Sequence, residues 1–259
     1  MIRWGRRLAL LGVVVVALAA ISATALGSGQ TVKAGNLVVF VDGGFSPQKL
    51  PRTTPAPISL HAETTLKTAD GTHPPAAKTL TLEFDKHAGI NTTGLPTCSV
   101  ERLENTLTKQ AESICGDALV GTGEAGAEIA FPEQPPFFAK GKMLVFNGRP
   151  KNGHKVLIFH VYARVPAPTT FVTTAVITKA TGIYGTKTEI TIPTIVAGQG
   201  SLTFAKLRIK RDWTYKGKRE HLLLATCPTG RFFTRGDLKF ADGTEMKGKV
   251  LRSCSPIGG

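Results

Sequence analysis

Glu83, Asp85 and His87 are spaced two apart in a stretch that alternates apolar and polar residues. On a β-strand that spacing sends all three side chains to one face. Two carboxylates and an imidazole on one face could bind a metal or share acid–base work. Alternation also predicts a polar, solvated outer face, and that is the assignment adopted for these three. His160 interrupts an apolar run and reads as a hydrogen-bonded core histidine. Gly121-Thr122-Gly123-Glu124-Ala125-Gly126 has the form G-x-G-x-x-G. A dinucleotide site needs a strand before that motif, a helix after it and an acid about twenty residues on. Here Pro132, Pro135 and Pro136 follow and residues 140–146 hold no acid, so the glycines are assigned to a tight strand or bulge. The chain contains no G-x-S-x-G, no H-E-x-x-H and no P-loop.

The strongest candidate contact surface is basic. Lys206, Arg208 and Lys210 alternate along one strand face, and Lys216, Lys218 and Arg219 crowd the turn that follows. Trp213 and Tyr215 fall on the opposite parity. The pattern therefore lacks the interleaved aromatic and basic residues of a single-strand nucleic-acid groove. It suits an anionic cell-wall polymer or polysaccharide, and no specific nucleic acid.

The elements that position these residues start with the amino terminus. Arg3, Arg6 and Arg7 precede an uncharged apolar run, and Ala23-Thr24-Ala25 places small residues where a signal peptidase cuts. Residues 1–25 thus read as a signal peptide; the competing reading is an uncleaved anchor, and either would be the sole membrane contact. Removing those three arginines lowers the formal charge from +14 by three, to +11. Hydrophobic residues make up 42% of the 259 and charged residues only 19%, which excludes general disorder. The four cysteines, Cys98, Cys115, Cys227 and Cys254, all follow the signal. An even number in an exported chain implies two disulfides. Three connectivities are possible, and we take the two local ones, Cys98–Cys115 and Cys227–Cys254.

Residues 26–55 read as an extended approach segment, with one early strand at residues 38–41 stopped by Asp42-Gly43-Gly44. Residues 99–114 carry the one helical apolar spacing. A straight helix of that length would span roughly 24 Å, yet a disulfide needs its Cα atoms within about 7 Å. The chain must fold back near Asn105-Thr106, as two short helices. Strands are expected at residues 143–146, 155–165, 170–178 and 188–195, the second of them central because both faces are apolar. A long strand should run from about residue 200 to Tyr215. There Leu202 and Phe204 have the opposite parity to Leu207 and Ile209, and a β-bulge near Ala205-Lys206 would bring them together. Asp242-Gly243 marks a closing hairpin. The fold class is all-β, a β-sandwich or jelly roll with one short helical hairpin insertion. It occupies residues 56–259, or two β domains divided near 166–168, where Pro-Ala-Pro recurs.

The stretch from Ala225-Thr226-Cys227-Pro228-Thr229-Gly230-Arg231-Phe232 to Arg252-Ser253-Cys254 resembles the C-terminus of uncharacterised exported proteins of high-GC Gram-positive bacteria. Gly94-Leu95-Pro96-Thr97-Cys98 to Cys115-Gly116 is similar to theirs as well. The resemblance implies export and local cysteine pairing, and no activity. The sequence thus reads as a secreted or envelope protein without catalysis or cofactor. The alternative is an extracellular glycan or cell-wall hydrolase using Glu83 and Asp85.

Overall fold

The computed structural model describes residues 29–258; the signal expected at residues 1–25 lies outside them. The chain opens with β1 (Gln30–Ala34), β2 (Leu37–Ser46) and the short β3 (Lys49–Pro51) and β4 (Ala56–Pro57). It continues through β5 (Ser59–Thr68), β6 (Ala77–Asp85) and β7 (Ala88–Ile90) to two helices, α1 (Val100–Leu103) and α2 (Thr108–Cys115). Then come β8 (Leu119–Ile129), β9 (Phe137–Lys151), β10 (His154–Ala163), β11 (Thr169–Lys179), β12 (Tyr184–Thr191) and β13 (Gly200–Ile209). The last part holds β14 (Asp212–Tyr215), β15 (Lys218–His221), β16 (Leu223–Ala225), β17 (Arg231–Phe240), β18 (Glu245–Ser253) and β19 (Ser255–Ile257).

Twelve of these strands form one antiparallel sheet, in the order β1-β2-β5-β13-β8-β9-β10-β11-β12-β6-β17-β18. The all-β fold class is therefore as the sequence reads, and its opposing walls belong to one sheet curled towards a barrel. Strands from both ends of the order share a core: Val32, Leu37 and Val39 pack with Leu238, Phe240 and Met246. Arg252 of β18 reaches across the seam, its Nε donating to the Gly43 carbonyl and its guanidinium lying 3.1 Å from an Asp42 carboxylate oxygen. The curl brings the two edge strands, β1 and β18, together around that core. On either side of Pro166-Ala167-Pro168, β10 and β11 pair directly, from Lys155↔Ile177 to Ala163↔Thr169.

Side-chain alternation then decides what each face carries. Met143, Val145, Leu157, Ala175 and Ile177 fill the inside of the curl. The other face of β9 and β10 presents Leu144, Phe146, Val156 and Ile158, which Leu103 and Ala111 of the helices cover. β10 is therefore central, as its doubly apolar sequence implies. The helices meet as expected: Asn105 takes the left-handed conformation (φ 59°), the chain reverses, and Cys98 bonds to Cys115. Cys227 bonds to Cys254, so both local pairings are present. Cys227 and Cys254 sit in a satellite core with Leu50, Ala225 and Phe232 beside the three-stranded sheet β4-β16-β7, and Cys98 and Cys115 sit in the core that the helices cover. Disulfides of this kind fit an oxidising, extracytoplasmic environment.

Several strand boundaries differ from those read in the sequence; the strand expected at residues 143–146 is the fifteen-residue β9, Phe137–Lys151. β2 does not stop at Asp42-Gly43-Gly44; it runs to Ser46, because Gly43 and Gly44 pair in register with Ala62 and His61 of β5. The strand expected at residues 188–195 starts earlier, at Tyr184, and ends at Thr191, two residues before Pro193. The long strand expected to reach Tyr215 leaves the sheet after Ile209, and residues 212–221 form a separate hairpin.

Candidate functional site

β13 lies between β5 and β8, so each of its outward side chains has a partner on both sides. The bulge in this strand falls between Leu202 and Phe204, not at Ala205-Lys206 as the sequence suggests. Leu202 still turns inward, onto Ala127 and Ile129. Phe204 does not; the shifted bulge leaves it on the outer face with Lys206 and Arg208. Phe138 meets it edge to face at 6.5 Å, and the Lys140 ammonium stands 5.4 Å from its ring centre. The basic strand therefore does carry an aromatic neighbour on its own face.

The outer face is ordered in rows across the strands. One row runs Asp42, Glu63, Lys206, Glu124 and Lys142, acid beside acid at its start and charges of opposite sign meeting from Glu63 onward. Lys206 sits 2.8 Å from Glu63. The Glu63 hydrogen bond and charge, with Glu124 behind, raise its pKa. Lys206 thus stays protonated and is ion-paired with Glu63 at the exposed surface. Arg208 and Lys210 are exposed and make no ion pair among the described residues.

The β14–β15 hairpin follows at once. Trp213 Nε1 donates to the Thr93 carbonyl at 3.0 Å, and the Tyr215 ring covers Gly94. These two aromatics are anchors for the hairpin. Its turn, Lys216-Gly217, has positive φ at both residues, the geometry of a two-residue hairpin loop. The Lys216 ammonium stands 5.4 Å from the centre of the Tyr215 ring, and Lys218 is exposed and unpaired among the described residues. Arg219 is 3.3 Å from Asp212, which also lies 2.8 Å from His221 Nδ1. The His221 hydrogen bond, then those of Arg219 and the charge of Lys210, lower the Asp212 pKa. Of the six basic residues singled out, Lys206 and Arg219 are thus paired with acids, and Arg208, Lys210, Lys216 and Lys218 make no ion pair among the described residues.

Glu83, Asp85 and His87 do not form a solvated face. Asp85 is buried at 4% exposure. Its oxygens accept from the His87 amide (3.0 Å), from the Phe233 amide (3.2 Å) and from the ring of His87 (2.7 Å). Glu83 is ion-paired with Arg235 of β17. The reason is that β6 is not an outer strand facing water alone: β17 runs beside it and brings Arg235 opposite Glu83. Both carboxylates are occupied by partners within the fold. The glycines of residues 121–126 lie inside β8, where a Cβ on Gly123 would come 2.0 Å from the Lys206 carbonyl oxygen. They serve close strand packing, and no helix follows them.

Sequence reasoning missed a cluster at the rim. His73 lies in the crossing between β5 and β6. Its Nδ1 is 2.7 Å from Glu128, and its Nε2 is 3.2 Å from the Ser201 hydroxyl. The contacts follow the order of a Ser–His–acid triad. Ser201, however, is only 1% exposed, and its hydroxyl donates to the Pro74 carbonyl. The neighbouring amides of Gly198, Gln199 and Gly200 are spent on the carbonyls of Ile195 and Val196, leaving no oxyanion donors there. The cluster clasps the crossing segment onto β8 and β13. Its parts are 55 and 128 positions from His73, so no local pattern announces it.

Among the described residues no helix is long and apolar enough to cross a membrane, and no group of three His, Cys, Asp or Glu side chains gathers to hold a metal. Comparison with protein-family models, with curated proteins and with solved structures gave no match.

Proposed function

We propose that the protein acts outside the cytoplasm, secreted or held in the cell envelope, as a non-catalytic module that binds anionic polymer. The observation that carries this is the set of four unpaired cations, Arg208 and Lys210 on β13 with Lys216 and Lys218 on the adjoining hairpin. Lys210 is near enough to the hairpin for its charge to act on Asp212. Both supports are rigid: β13 is hydrogen-bonded on both sides, and the hairpin is pinned by Trp213 and Tyr215. A fixed array loses little freedom when a charged chain settles on it. Nearby acids that would compete, Glu63 and Asp212, already have partners.

The test is retention on immobilised polyanions bearing carboxylate or phosphate, eluted with salt. Each lysine or arginine near an anionic surface contributes about 1 kcal/mol. Reversing Arg208, Lys210, Lys216 and Lys218 to Glu should therefore weaken binding by about a hundredfold or more. Replacing Lys206 and Glu63 together by Gln should change it far less, because that pair carries no net charge. Wild-type protein that passes through every polyanion column at low salt would end this reading.

A further inference from the structure

A second feature of the same outer face has a more specific chemistry. β1, β2 and β5 are adjacent, and their outward residues form two rows. In one, Val38 stands between Lys33 and Lys67; in the other, Phe40 stands between Thr31 and Thr65. Together they line an open groove of about 510 Å³.

The charges here contrast with those of the neighbouring row. There Asp42 and Glu63 lie side by side ahead of Lys206 and Glu124, and each acid has a cation of its own, Arg252, Lys206 and Lys140. Here two lysines of like charge lie two strand spacings apart, about 10 Å, with an apolar residue between them and no acid in either row. Among the described residues neither Lys33 nor Lys67 makes an ion pair. The acids just beyond, Asp42 and Glu63, are taken by Arg252 and Lys206, and Asp70, next to Ala69 at the end of the groove, accepts hydrogen bonds from the Thr72 amide and hydroxyl. Lysine on an edge strand guards against aggregation, which would account for Lys33 on β1. It does not account for Lys67, since β5 is paired on both sides.

The floor is also unusual for a surface that binds charge alone. Phe40 is 37% exposed, with the backbone of Gly29 lying against the end of its ring. The face of an aromatic ring carries negative potential. It suits the polarised C–H bonds of a sugar ring. Thr31 and Thr65 offer hydroxyl groups that both donate and accept, the complement of a polyol. A phosphate polymer has no flat apolar face to cover Phe40 and Val38. A uronic-acid saccharide has all three parts: a carboxylate for each lysine, hydroxyls for the threonines and a ring face for Phe40.

We propose that this groove is a subsite for acidic, uronate-type saccharide. The assignment rests on the polyanion reading above and names the polymer class that the outer face accepts. The experiment is calorimetric titration with an oligogalacturonate, a neutral malto-oligosaccharide, polyphosphate and a single-stranded oligonucleotide. Oligogalacturonate should bind most tightly. The pair Lys33→Ala with Lys67→Ala, and separately Phe40→Ala, should each weaken it roughly tenfold or more. Phe40→Leu should fall between wild type and Phe40→Ala, because it keeps apolar cover and loses the ring face. The exposed positions leave the thermal transition as a check that each variant folds.

Equal affinity for the neutral saccharide, or a preference for polyphosphate or the oligonucleotide, overturns the subsite. So does unchanged affinity in both the double-lysine and Phe40 variants. If those variants bind like wild type while the four-residue charge reversal on β13 and its hairpin loses every polyanion, the subsite fails and the wider reading stands. If wild type binds no polyanion, both fall together.

Discussion

His160 is completely buried beneath the helical hairpin, and among the described residues its ring hydrogen-bonds to Thr106 alone. Nε2 lies 3.0 Å from the Thr106 carbonyl and 3.1 Å from the Thr106 hydroxyl, whose own proton goes to Leu103. The network assigns the proton to Nε2 and leaves Nδ1 bare, without a partner. Adding a second proton would place an unpaired donor and a charge in the core. Burial accordingly lowers the His160 pKa, against the opposing pull of the Thr106 hydrogen bond. The folded chain therefore excludes a proton that the unfolded chain accepts near the ordinary histidine value of about 6.5. Its stabilising effect is complete above that value and is lost as pH falls below it. The denaturation midpoint should drop between about pH 7 and pH 5, and His160→Gln should flatten that drop while still donating to Thr106. An equally steep decline in the variant would show that His160 is not responsible. This histidine was legible in the sequence because a lone imidazole in an apolar strand has one economical explanation. Asp85 was not, since its burial depends on Phe233, 148 positions away.

At the level of elements, local rules succeeded where a covalent or steric limit overruled periodicity. A continuous helix over residues 99–114 would hold its terminal cysteines too far apart to bond, and the break at Asn105 follows from that length. Alternation was less informative along β13. Parity shows that a bulge is needed between Leu202 and Leu207 but not which residue is extra, because that depends on the register of β8. A displacement of two or three residues moved Phe204 from core to surface and gave the basic strand its aromatic neighbour. The register in turn depends on Gly123. There a side chain would strike the Lys206 carbonyl at 2.0 Å and the Leu207 Cα at 2.8 Å, both backbone atoms that cannot rotate away. Gly123→Ala should therefore cost about 1–3 kcal/mol or more, as overpacking does. Gly89→Ala in β7, where a Cβ meets nothing within 4 Å, should stay within about 0.5 kcal/mol of wild type, as surface changes do. Denaturant titration of the two variants separates the cases. Equal stability would mean that β8 and β13 can part without loss.

The molecule as a whole is a closed curve held at one seam, and no local signal in the sequence could reveal that closure. Twelve antiparallel strands can stack as layers or roll into a single wall, and both give the same alternation along each strand. The difference lies in whether β1 and β18, the two ends of the sheet order, meet. They meet through a shared apolar core and through Arg252, 209 positions from the Gly43 carbonyl it binds. The Arg252 side chain is only 13% exposed, whereas Asp42 is 51% exposed. Most of the stabilisation should therefore come from the sheltered hydrogen bond to Gly43, and little from the ion pair with Asp42. Arg252→Ala should cost about 1.5–3 kcal/mol, the range for a hydrogen bond to a charged group. The loss should be local before it is global. Amide exchange should rise in β1, β2 and β18, while β9 and β10, buried on both faces, keep their protection. Arg252→Lys should recover only part, since one ammonium cannot serve the Gly43 carbonyl and Asp42 in the fork geometry of a guanidinium. An exchange pattern that rises evenly over all twelve strands would show that the seam is not a distinct unit. Unchanged exchange in β1 and β18 would show that the apolar contacts close the wall without Arg252.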